Sequence, residues 1–598
     1  PQGSYTHLKF KNCQWLENQA SAVGGAFAYG RSETIVNTAI TFEKCRFLDN
    51  TAKSREGGAL WIATSVPFLV EDCFFLRNKA SGDSAVGGAI TVAATAPQIN
   101  IKGTTFQSNE AREGNAIYVR QTTNDMNITD CNFLDNGVYG SVITNEAKQI
   151  CIDTCYIQFT SHSKASRGVK FISRSFALVR DTHFVNCKTS STEGGAAAFY
   201  ENQLQTTDEE SLTFEGCLFN NCQGPNGCAI LAWLDTPIIL RNNLIWHNTN
   251  GKYIVSIFYG QYVNETVIED CYFEHNSFYN DDTNRDGGGS GLWVAHKTGF
   301  NIPEGEETKL TFVGCTWRNN TADAYGGAFS YGKSPRTKST VLEFNDCIFI
   351  NNSATKTYGG ALYIITDKPA VITDCFFDGN KARGIGGAVY FSKYGDVSIT
   401  DCKFARNKAS EGGAICADGR NKVKLDSLVF SENTVDNDAV NLLIRHYGDS
   451  QFDVKNCKFD FEKNIGQASV CVRNNNYENS VQTVNFEGCC FTHKGDAIDT
   501  VTHIKTSLVS GEINLGAGNC FDTPEELAIS YNNETTNITV ADGIFSCTTC
   551  TVPTIPTSPP TNMPTQSPSP TPEATPRPTD NLPDPTPKQT LEESTPLP

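Results

Sequence analysis

One unit is repeated three times in immediate succession between Val341 and Ala414. Each copy has a stretch of alternating apolar residues, the pattern Asp-Cys-x-Phe-x-x-Asn-x-Ala, a variable turn, and Gly-Gly-Ala followed by a second apolar stretch. The cysteines Cys347, Cys375 and Cys402 mark the step, which is 28 and then 27 residues. A unit this short cannot bury an apolar face alone, so neighbouring units must stack on one another and share a core.

The apolar stretches alternate with a period of two, as in Val397–Thr400, which is typical of a β-strand and not of a helix. A stacked, strand-based unit of this length predicts an all-β fold, a right-handed parallel β-helix similar to the pectate-lyase solenoids. We expect three short strands in each coil. Weaker copies of the repeat extend this domain over residues 1–550, with irregular insertions near 138–180 and 277–308.

The composition changes abruptly at residue 551. Residues 551–598 contain 15 of the 24 prolines of the chain, interleaved with Thr and Ser. Proline lacks a backbone donor and has a fixed φ, so this segment cannot join a sheet. We predict a disordered Pro/Thr/Ser-rich stalk or linker.

The charge balance limits the partners. The chain has 48 Lys and Arg against 66 Asp and Glu, a net charge of −18. This argues against nucleic acid and against an anionic membrane surface. No apolar run of transmembrane length occurs in the sequence. Membrane attachment is therefore expected only through a segment outside this chain.

The 23 cysteines at first suggest an oxidising compartment. Twelve of them, however, share the repeat position of Cys347. Equivalent side chains of successive coils stand about 4.8 Å apart with parallel Cβ directions, a poor geometry for a disulfide, so we expect mostly free, buried thiols there. A Cys187–Cys222 disulfide would link adjacent coils. The Cys547-Thr-Thr-Cys550 spacing favours a small disulfide at the end of the solenoid over a redox site.

Two other cysteines, Cys151 and Cys155, do not fit the repeat position, and they lie in the first of the predicted insertions.

Phe-x-x-Asn and Gly-Gly-Ala recur at the same position of each repeat, and we expect both motifs to have a mainly structural role. The Phe should enter the core and stack on the Phe of the next coil. The Asn should tolerate a left-handed turn, bond local backbone and form a ladder. Two successive glycines permit a positive φ or a close backbone approach at a corner. We predict a structural role, with an additional role in display or binding as the alternative, for Phe47, Asn50, Gly57, Gly58, Phe75, Asn78, Gly87, Gly88, Phe349, Asn352, Gly359, Gly360, Phe377, Asn380, Gly386, Gly387, Phe404, Asn407, Gly412 and Gly413.

The paired motifs, as in Phe75-Leu76-Arg77-Asn78 and Gly88-Ala89-Ile90, resemble those of the polymorphic outer-membrane proteins of chlamydial type, with similar proteins in some parasitic protists. The resemblance covers roughly residues 8 to 500. It implies a surface-exposed β-helical passenger that attaches to host cells, with the motif segments associated with adhesion. The bacterial members end in an outer-membrane β-barrel, which residues 551–598 cannot form. The resemblance therefore fits a protist-type surface member without the autotransporter barrel.

Parallel β-helices also carry polysaccharide lyases and hydrolases, which need paired carboxylates or acidic Ca²⁺ ligands. The densest acidic cluster, Asp281, Asp282 and Asp286 beside Arg285, lies in a polar insertion, which favours a solvated loop over a rigid site. The aspartates before the repeat cysteines, such as Asp374, are spaced so evenly that they belong to the scaffold. We therefore expect no catalytic, cofactor-binding or metal-binding residues and no enzymatic activity.

Six Asn-x-Ser/Thr sequons predict a secretory route and N-glycosylation. They are Asn127, Asn264, Asn319, Asn351, Asn533 and Asn537. Our hypothesis is an adhesin-like protein, at the cell surface or extracellular, that binds a host-cell or matrix protein or glycan. A carbohydrate-active β-helix enzyme and a passive surface scaffold remain the alternatives.

Overall fold

The structure is a computed structural model in which residues 6–550 are described except 31–37, 65, 94–97, 121–124, 138, 163–164, 173–175, 191–194, 202–210, 226, 235–237, 250–254, 260–264, 279–291, 297–307, 333–339, 393–394, 420–421, 447–448, 463–466, 475–481, 495–500, 508–510 and 532–535. The predicted stalk, residues 551–598, lies outside the described residues, so its disorder stays a prediction. The described coils all belong to one compact unit, Pro1–Ile555.

The described residues form a parallel β-helix. Each coil contributes one strand to each of three parallel sheets, which we call sheets 1, 2 and 3 in the order in which the chain enters them. Each strand between the first and last described coils pairs with the equivalent strands of neighbouring coils. Phe377 of sheet 2, for example, pairs in register with Phe349 and Phe404. The predicted all-β, parallel solenoid is confirmed.

Sheet 1 contains 19 strands among the described residues. They are Thr6–Lys11, Thr38–Glu43, Phe68–Glu71, Gln98–Lys102, Asp125–Thr129, Gln149–Asp153, Phe176–Arg180, Leu212–Glu215, Ile238–Arg241, Glu265–Glu269, Thr308–Val313, Thr340–Asn345, Ala370–Thr373, Val397–Thr400, Lys422–Asp426, Ser450–Lys455, Gln482–Glu487, Gly511–Leu515 and Thr536–Val540.

Sheet 2 contains 18 described strands, most of them only three residues long. They are Gln14–Leu16, Arg46–Leu48, Phe74–Leu76, Thr105–Gln107, Asn132–Leu134, Tyr156–Gln158, His183–Val185, Leu218–Asn220, Leu244–Trp246, Tyr272–Glu274, Thr316–Arg318, Ile348–Ile350, Phe376–Asp378, Lys403–Ala405, Val429–Ser431, Lys458–Glu462, Cys490–Lys494 and Cys520–Phe521.

Sheet 3 follows the Gly-Gly-Ala corner of each coil. Its described strands are Phe27–Tyr29, Leu60–Ile62, Ile90–Val92, Ile117–Val119, Ser141–Asn145, Arg167–Ile172, Ala198–Glu201, Ile230–Leu234, Val255–Tyr259, Leu292–His296, Phe329–Gly332, Leu362–Ile365, Val389–Ser392, Ile415–Asp418, Leu442–His446, Ala468–Asn474, Thr502–Ser507 and Ile529–Tyr531.

Some coils add a two-residue strand between sheets 2 and 3. These strands are Gln19–Ala20, Thr51–Ala52, Lys79–Ala80, Ser277–Phe278, Thr321–Ala322, Ser353–Ala354, Lys381–Ala382, Lys408–Ala409 and Thr434–Val435. The one helix among the described residues, Glu525–Ala528, lies between the last strands of sheets 2 and 3.

The core is a set of side-chain ladders that run through the stack. The Phe of Phe-x-x-Asn points inward from the middle of each sheet 2 strand, and the Phe377 ring stacks on Phe349 and on Phe404 with 4.7 Å between ring centroids in both pairs. The planes of these rings differ by only 4° and 2°. The predicted phenylalanine stack is confirmed. Its parallel, offset geometry follows because the repeat places identical rings one strand spacing apart.

Two corners of each coil have a residue with a left-handed backbone. One is the residue before the repeat cysteine, as at Asp374 and Asp401, where φ is 54° in both cases. The other is the residue before the ladder Asn, as at Asn351 and Arg406, where φ is 53° and 52°. The recurring aspartates are thus explained, since Asp tolerates this conformation better than most residues. The expectation that the ladder Asn itself is left-handed is wrong, because its neighbour makes the turn.

The repeat cysteine does more than fill space as a small apolar residue. The thiol of Cys375 donates to the carbonyl oxygen of Phe344 in the preceding coil at 3.5 Å, and the N–H of Cys375 donates to Sγ of Cys402 in the next coil at 3.3 Å. Thr104 and Asn243 occupy the same position elsewhere, and their side-chain oxygens accept the equivalent N–H at 3.3 and 2.9 Å. The position therefore favours a side chain that can accept a hydrogen bond, although Leu428 occupies it in one coil.

The prediction of an irregular insertion at 138–180 is wrong. This segment supplies strands to all three sheets, and the N–H of Tyr156 donates to the carbonyl of Cys131 at 2.9 Å, as in any other coil. Cys155 therefore occupies the repeat position after all, while Cys151 points outward from sheet 1. The pattern is obscured in the sequence because Ile157 replaces the Phe. Most of the other predicted insertion, 277–308, lies outside the described residues.

Candidate binding surface

All of the repeat residues predicted from the sequence are buried. Phe75, Asn78, Phe377 and Asn380 each have 0% of their surface exposed, and the paired glycines of the same coils are buried with them. The same holds for every other residue of that set. Buried groups cannot touch a partner while the chain is folded. An adhesive contact therefore has to come from the side chains that lie between the motif residues.

The buried Asn side chains form the predicted ladder. Nδ2 of Asn78 donates to Oδ1 of Asn109 at 2.9 Å and to the carbonyl oxygen of Phe47 in the preceding coil at 2.8 Å. The same pattern joins Asn352 to Asn380 at 3.1 Å. Each carboxamide therefore forms hydrogen bonds with polar groups of the coils on both sides, as buried polar groups require.

The two corner glycines have different tasks. Gly386 has a φ of +71°, the left-handed region that favours glycine. Gly387 is needed for a close approach, since a Cβ there would lie 1.9 Å from the carbonyl oxygen of Gly413 in the next coil. Gly386 has a close approach as well, since a Cβ there would lie 2.5 Å from the carbonyl oxygen of Val389 in the same coil. Both reasons expected for a double glycine thus apply, and neither residue offers a side chain for binding.

The outer side of sheet 2 is the surface with the clearest binding character. On each strand the residues before and after the buried Phe point outward and align with their equivalents in adjacent coils, as Leu48 does with Leu16 and Leu76. Leu16 is 50% exposed, and the others are half-buried. We call these outward residues the sheet 2 outer face. Its half-buried or exposed large apolar members are Leu16, Leu48, Phe74, Leu76, Leu134, Tyr156, Leu218, Leu244, Trp246, Tyr272, Ile350 and Phe376.

Ion pairs between adjacent coils border this face. The guanidinium of Arg77 binds both carboxylate oxygens of Asp49 at 2.7 Å, and this partner raises the pKa of Arg77. Nη2 of Arg406 binds one carboxylate oxygen of Asp378 in the preceding coil, where Asp378 is itself an outward residue of sheet 2. These exposed pairs contribute little stability individually. They give the apolar rows a charged border, which resembles the polar rim around the apolar centre of many protein interfaces.

The sequons differ in accessibility. Asn351 and Asn537 are exposed, whereas Asn127 and Asn319 are half-buried. Nδ2 of Asn127 donates to Oδ1 of Asn100 at 3.1 Å. Asn264 and Asn533 lie outside the described residues. Use of these sequons stays a prediction.

The cysteines are mostly free and buried, as expected. Burial raises the pKa of Cys73 to about 12 and that of Cys217 to about 12. The predicted Cys187–Cys222 disulfide is wrong, because both residues are free. They replace Asn in the ladder, where the N–H of Cys222 donates to Oδ1 of Asn248 at 2.8 Å.

The disulfide at the end of the solenoid joins Cys490 to Cys550, so the short pairing of Cys547 with Cys550 is wrong. The last described segment folds back along the final sheet 2 strand, where the N–H of Phe521 donates to the carbonyl of Ile544 at 2.8 Å. This path carries Cys550 to an outward-facing cysteine of the preceding coil.

The described residues contain no group of three or more His, Cys, Asp or Glu side chains that could hold a metal ion. The acidic cluster Asp281, Asp282 and Asp286, with Arg285, lies outside the described residues. No helix in the described part of the chain is long and apolar enough to cross a membrane.

Two family models match this chain. The model of the right-handed β-helix region matches residues 2–189. The Chlamydia polymorphic membrane protein repeat matches residues 346–365 and 374–392. These two repeats contain Phe349, Asn352, Phe377 and Asn380 of the core ladders together with their corner glycines. A comparison with curated proteins found no match.

The coil architecture and the matched region define a right-handed parallel β-helix protein, as predicted. The β-helix and the two matched repeats support a polymorphic membrane protein-like family for this chain. These matches suggest a surface or outer-membrane protein.

Proposed function

We propose that this protein is a non-catalytic adhesin that attaches to a host-cell or matrix protein or glycan through the sheet 2 outer face. The proposal includes display at the cell surface or secretion, with N-glycans on the accessible sequons. The polymorphic membrane protein repeats support the part of the proposal that concerns a surface location.

The observation that carries the proposal is the exposure of large apolar side chains in register on sheet 2. A scaffold with no partner needs polar residues on a solvent face, yet Leu16, Leu48 and Leu76 form one continuous row there. Large apolar anchors within a charged border are typical of residues that dominate binding energy. Because the row repeats from coil to coil, several weak contacts can act together.

The test compares two triple variants of the whole chain for binding to cultured animal cells. Replacement of Leu16, Leu48 and Leu76 by Ser should lower the bound fraction at least about tenfold, since each change removes an outward-facing apolar anchor. The control replaces Leu69, Leu178 and Ile239 by Ser. These three are also half-buried and point outward, but from sheet 1, so cell binding should change little.

Equal binding by both triple variants would contradict the choice of surface, and no binding by the unmodified chain would contradict attachment itself. Release of reducing or unsaturated sugars from host glycans would favour a carbohydrate-active enzyme instead. If the chain neither binds nor turns over a glycan, the passive scaffold is supported.

A further inference from the structure

The corner repeat is broken in three successive coils, at residues 114–116, 140–142 and 166–168, and the first two departures lie side by side. The first coil has Gly114-Asn115-Ala116 at the corner where the repeat has Gly-Gly-Ala. The next coil has Gly140-Ser141-Val142 at the same stacked positions, with the N–H of Asn115 donating to the carbonyl of Ser141 at 2.7 Å. Departures from an otherwise consistent pattern are where functional sites are expected.

The loops before these corners also shorten from coil to coil. Eight residues separate Asn78 from Gly87, but only three separate Asn136 from Gly140. A groove of about 530 Å³ lies along these three loops, lined by residues 79–83, 110–113 and 139–140. This volume is in the range of small-molecule sites.

Asn115 fixes the rim of the groove. It is completely buried, and its Nδ2 donates to the carbonyl of Tyr139 at 2.6 Å while its Oδ1 accepts the N–H of Ala111 at 2.9 Å. The neighbouring Gly137 has no room for a side chain, because a Cβ would lie 1.9 Å from the Asn115 carboxamide. The backbone of Tyr139 is therefore held in place, while its side chain is 73% exposed beside the groove.

Fixed hydrogen-bond acceptors face the same space. Oε2 of Glu113 accepts from the hydroxyl of Ser141 at 2.9 Å and from that of Thr144 at 3.3 Å. Glu110 pairs with Nζ of Lys79 at 3.0 Å, at the surface. The Glu113 carboxylate is oriented before any ligand arrives, which lowers the entropy that binding costs.

The charges of the groove disfavour one class of ligand. Its cations are Lys79 and Arg112, and its carboxylates are Asp83, Glu110 and Glu113. Lys79 and Glu110 pair with each other, so one more carboxylate than cation remains. Sulfated, phosphorylated or sialylated ligands would meet a weak net repulsion.

We propose that this groove binds an uncharged saccharide. A sugar ring has an apolar C–H face and an edge of hydroxyl donors, which fits an exposed aromatic ring next to carboxylates. The ring face packs on Tyr139, and the hydroxyls donate to Glu110 and Glu113. The inference does not depend on attachment through sheet 2, since it concerns a different surface.

Saturation-transfer NMR on the whole chain tests this site with galactose, mannose, N-acetylglucosamine and lactose as neutral probes and sialyllactose as the anionic one. We expect at least one neutral probe to bind with a dissociation constant on the order of 1 mM, as suits a small, open groove. Tyr139→Ala should weaken that probe about tenfold because the stacking partner is lost, whereas Tyr139→Phe should retain it. Asn115→Gly restores the repeat and should also weaken it, by releasing the Tyr139 backbone.

Tyr531→Ala is the matched control, because Tyr531 is also exposed, at 61%, and does not line the groove. This variant should bind sugars like the unmodified chain, and melting curves should show that all variants fold. The inference is overturned if no neutral probe binds, if sialyllactose binds best, or if Tyr139→Ala binds like Tyr531→Ala. Each of these results leaves cell attachment through sheet 2 unaffected, so the two proposals can fail separately.

Discussion

Nδ2 of Asn380 lies 3.0 Å from Oδ1 of Asn407, its equivalent in the next coil. The backbone N–H of Asn380 reaches the same oxygen at 3.0 Å. Nδ2 also donates to the carbonyl of Phe349 in the preceding coil at 3.0 Å. A single buried carboxamide thus links three coils at a corner where the backbone leaves the sheet and loses its regular partners.

Asn380→Ala should therefore destabilise the chain strongly. It leaves the carbonyl of Phe349 without this partner and removes the acceptor of the Asn352 N–H, which lies 3.0 Å from Oδ1 of Asn380. Two buried groups left unpaired should cost about 3 kcal/mol in the free energy of unfolding, measured by urea titration. The neighbouring, exposed Lys381 gives the control, since Lys381→Ala should change this free energy by less than about 0.5 kcal/mol. Equal effects of the two variants would show that the ladder carries no stability.

Much of this ladder could be predicted from the sequence, because stacking turns a repeat into identical neighbours. Phe349 and Asn352 recur at the same phase, so their contacts follow from the period alone. The coil around Cys155 is not predictable from the motif, because Ile157 stands where the repeat has Phe. Its strand nevertheless pairs in register with the preceding coil, and backbone pairing is not visible in the sequence. The Cys490–Cys550 disulfide depends on a chain reversal with no periodic signal.

The candidate surfaces were less predictable than the core. The outward residues of sheet 2 vary from coil to coil, and Leu16, Leu48 and Leu76 become one row only after stacking. The groove beside Tyr139 arises from a difference in loop length between successive coils. A repeat pattern describes the residues that all coils have in common, whereas these surfaces are formed by side chains and loop lengths that differ between coils.

The two corner glycines should respond differently to the same substitution. Gly387→Ala places a Cβ 1.9 Å from the carbonyl oxygen of Gly413, so adjacent coils must separate, at a cost of about 3 kcal/mol in the free energy of unfolding. Gly386→Ala forces a left-handed alanine and brings its Cβ to 2.5 Å from the carbonyl oxygen of Val389. Because Ala439 accommodates a Cβ at the equivalent corner, the cost should be only about 1–2 kcal/mol. Thermal or urea unfolding checks the order, and a larger loss for Gly386→Ala would refute it.

One corner lacks the first glycine of Gly-Gly-Ala, so glycine can be introduced there instead of removed. Ala439 occupies this position and has a φ of 62°. Ala439→Gly should relieve this conformation and raise the free energy of unfolding by up to about 1 kcal/mol, despite the greater freedom of glycine in the unfolded chain. Ala414→Gly is the control, because Ala414 is buried without a positive φ and its replacement should destabilise. A loss of stability in both variants would contradict the strain at Ala439.

The hydrogen-bonding role of the repeat cysteine predicts which substitutes it tolerates. Cys402→Thr keeps an acceptor for the N–H of Cys375, as Thr104 does for Cys73, whereas Cys402→Ala leaves that N–H unpaired. The alanine variant should be less stable than the threonine variant by about 1–2 kcal/mol in urea unfolding. Equal stabilities would mean that the position requires only a small apolar side chain.

The carboxylate of Asp438 should make stability depend on pH. Its side chain is only 8% exposed, with Nζ of Lys505 at 2.8 Å and Nη2 of Arg473 at 3.3 Å. Burial acts to raise the pKa of Asp438, but Lys505 and the N–H groups of Ala439 and Ala468 outweigh it, so the pKa lies below its usual value. A carboxyl with a lower pKa in the folded chain than in the unfolded chain, where it is about 3.9, stabilises the fold above that value. The contribution is lost as the pH falls through the folded pKa.

Asp438→Asn should accordingly lower the free energy of unfolding at about pH 7, and the difference from the unmodified chain should shrink as the pH approaches about 3. Urea titrations at both pH values measure it. Asp436→Asn is the control, because Asp436 is 62% exposed and its pair with Lys408 at 3.2 Å lies at the surface, so its replacement should cost less than about 0.5 kcal/mol at either pH. A difference for Asp438→Asn that stays constant between the two pH values would show that its ionisation is not linked to folding.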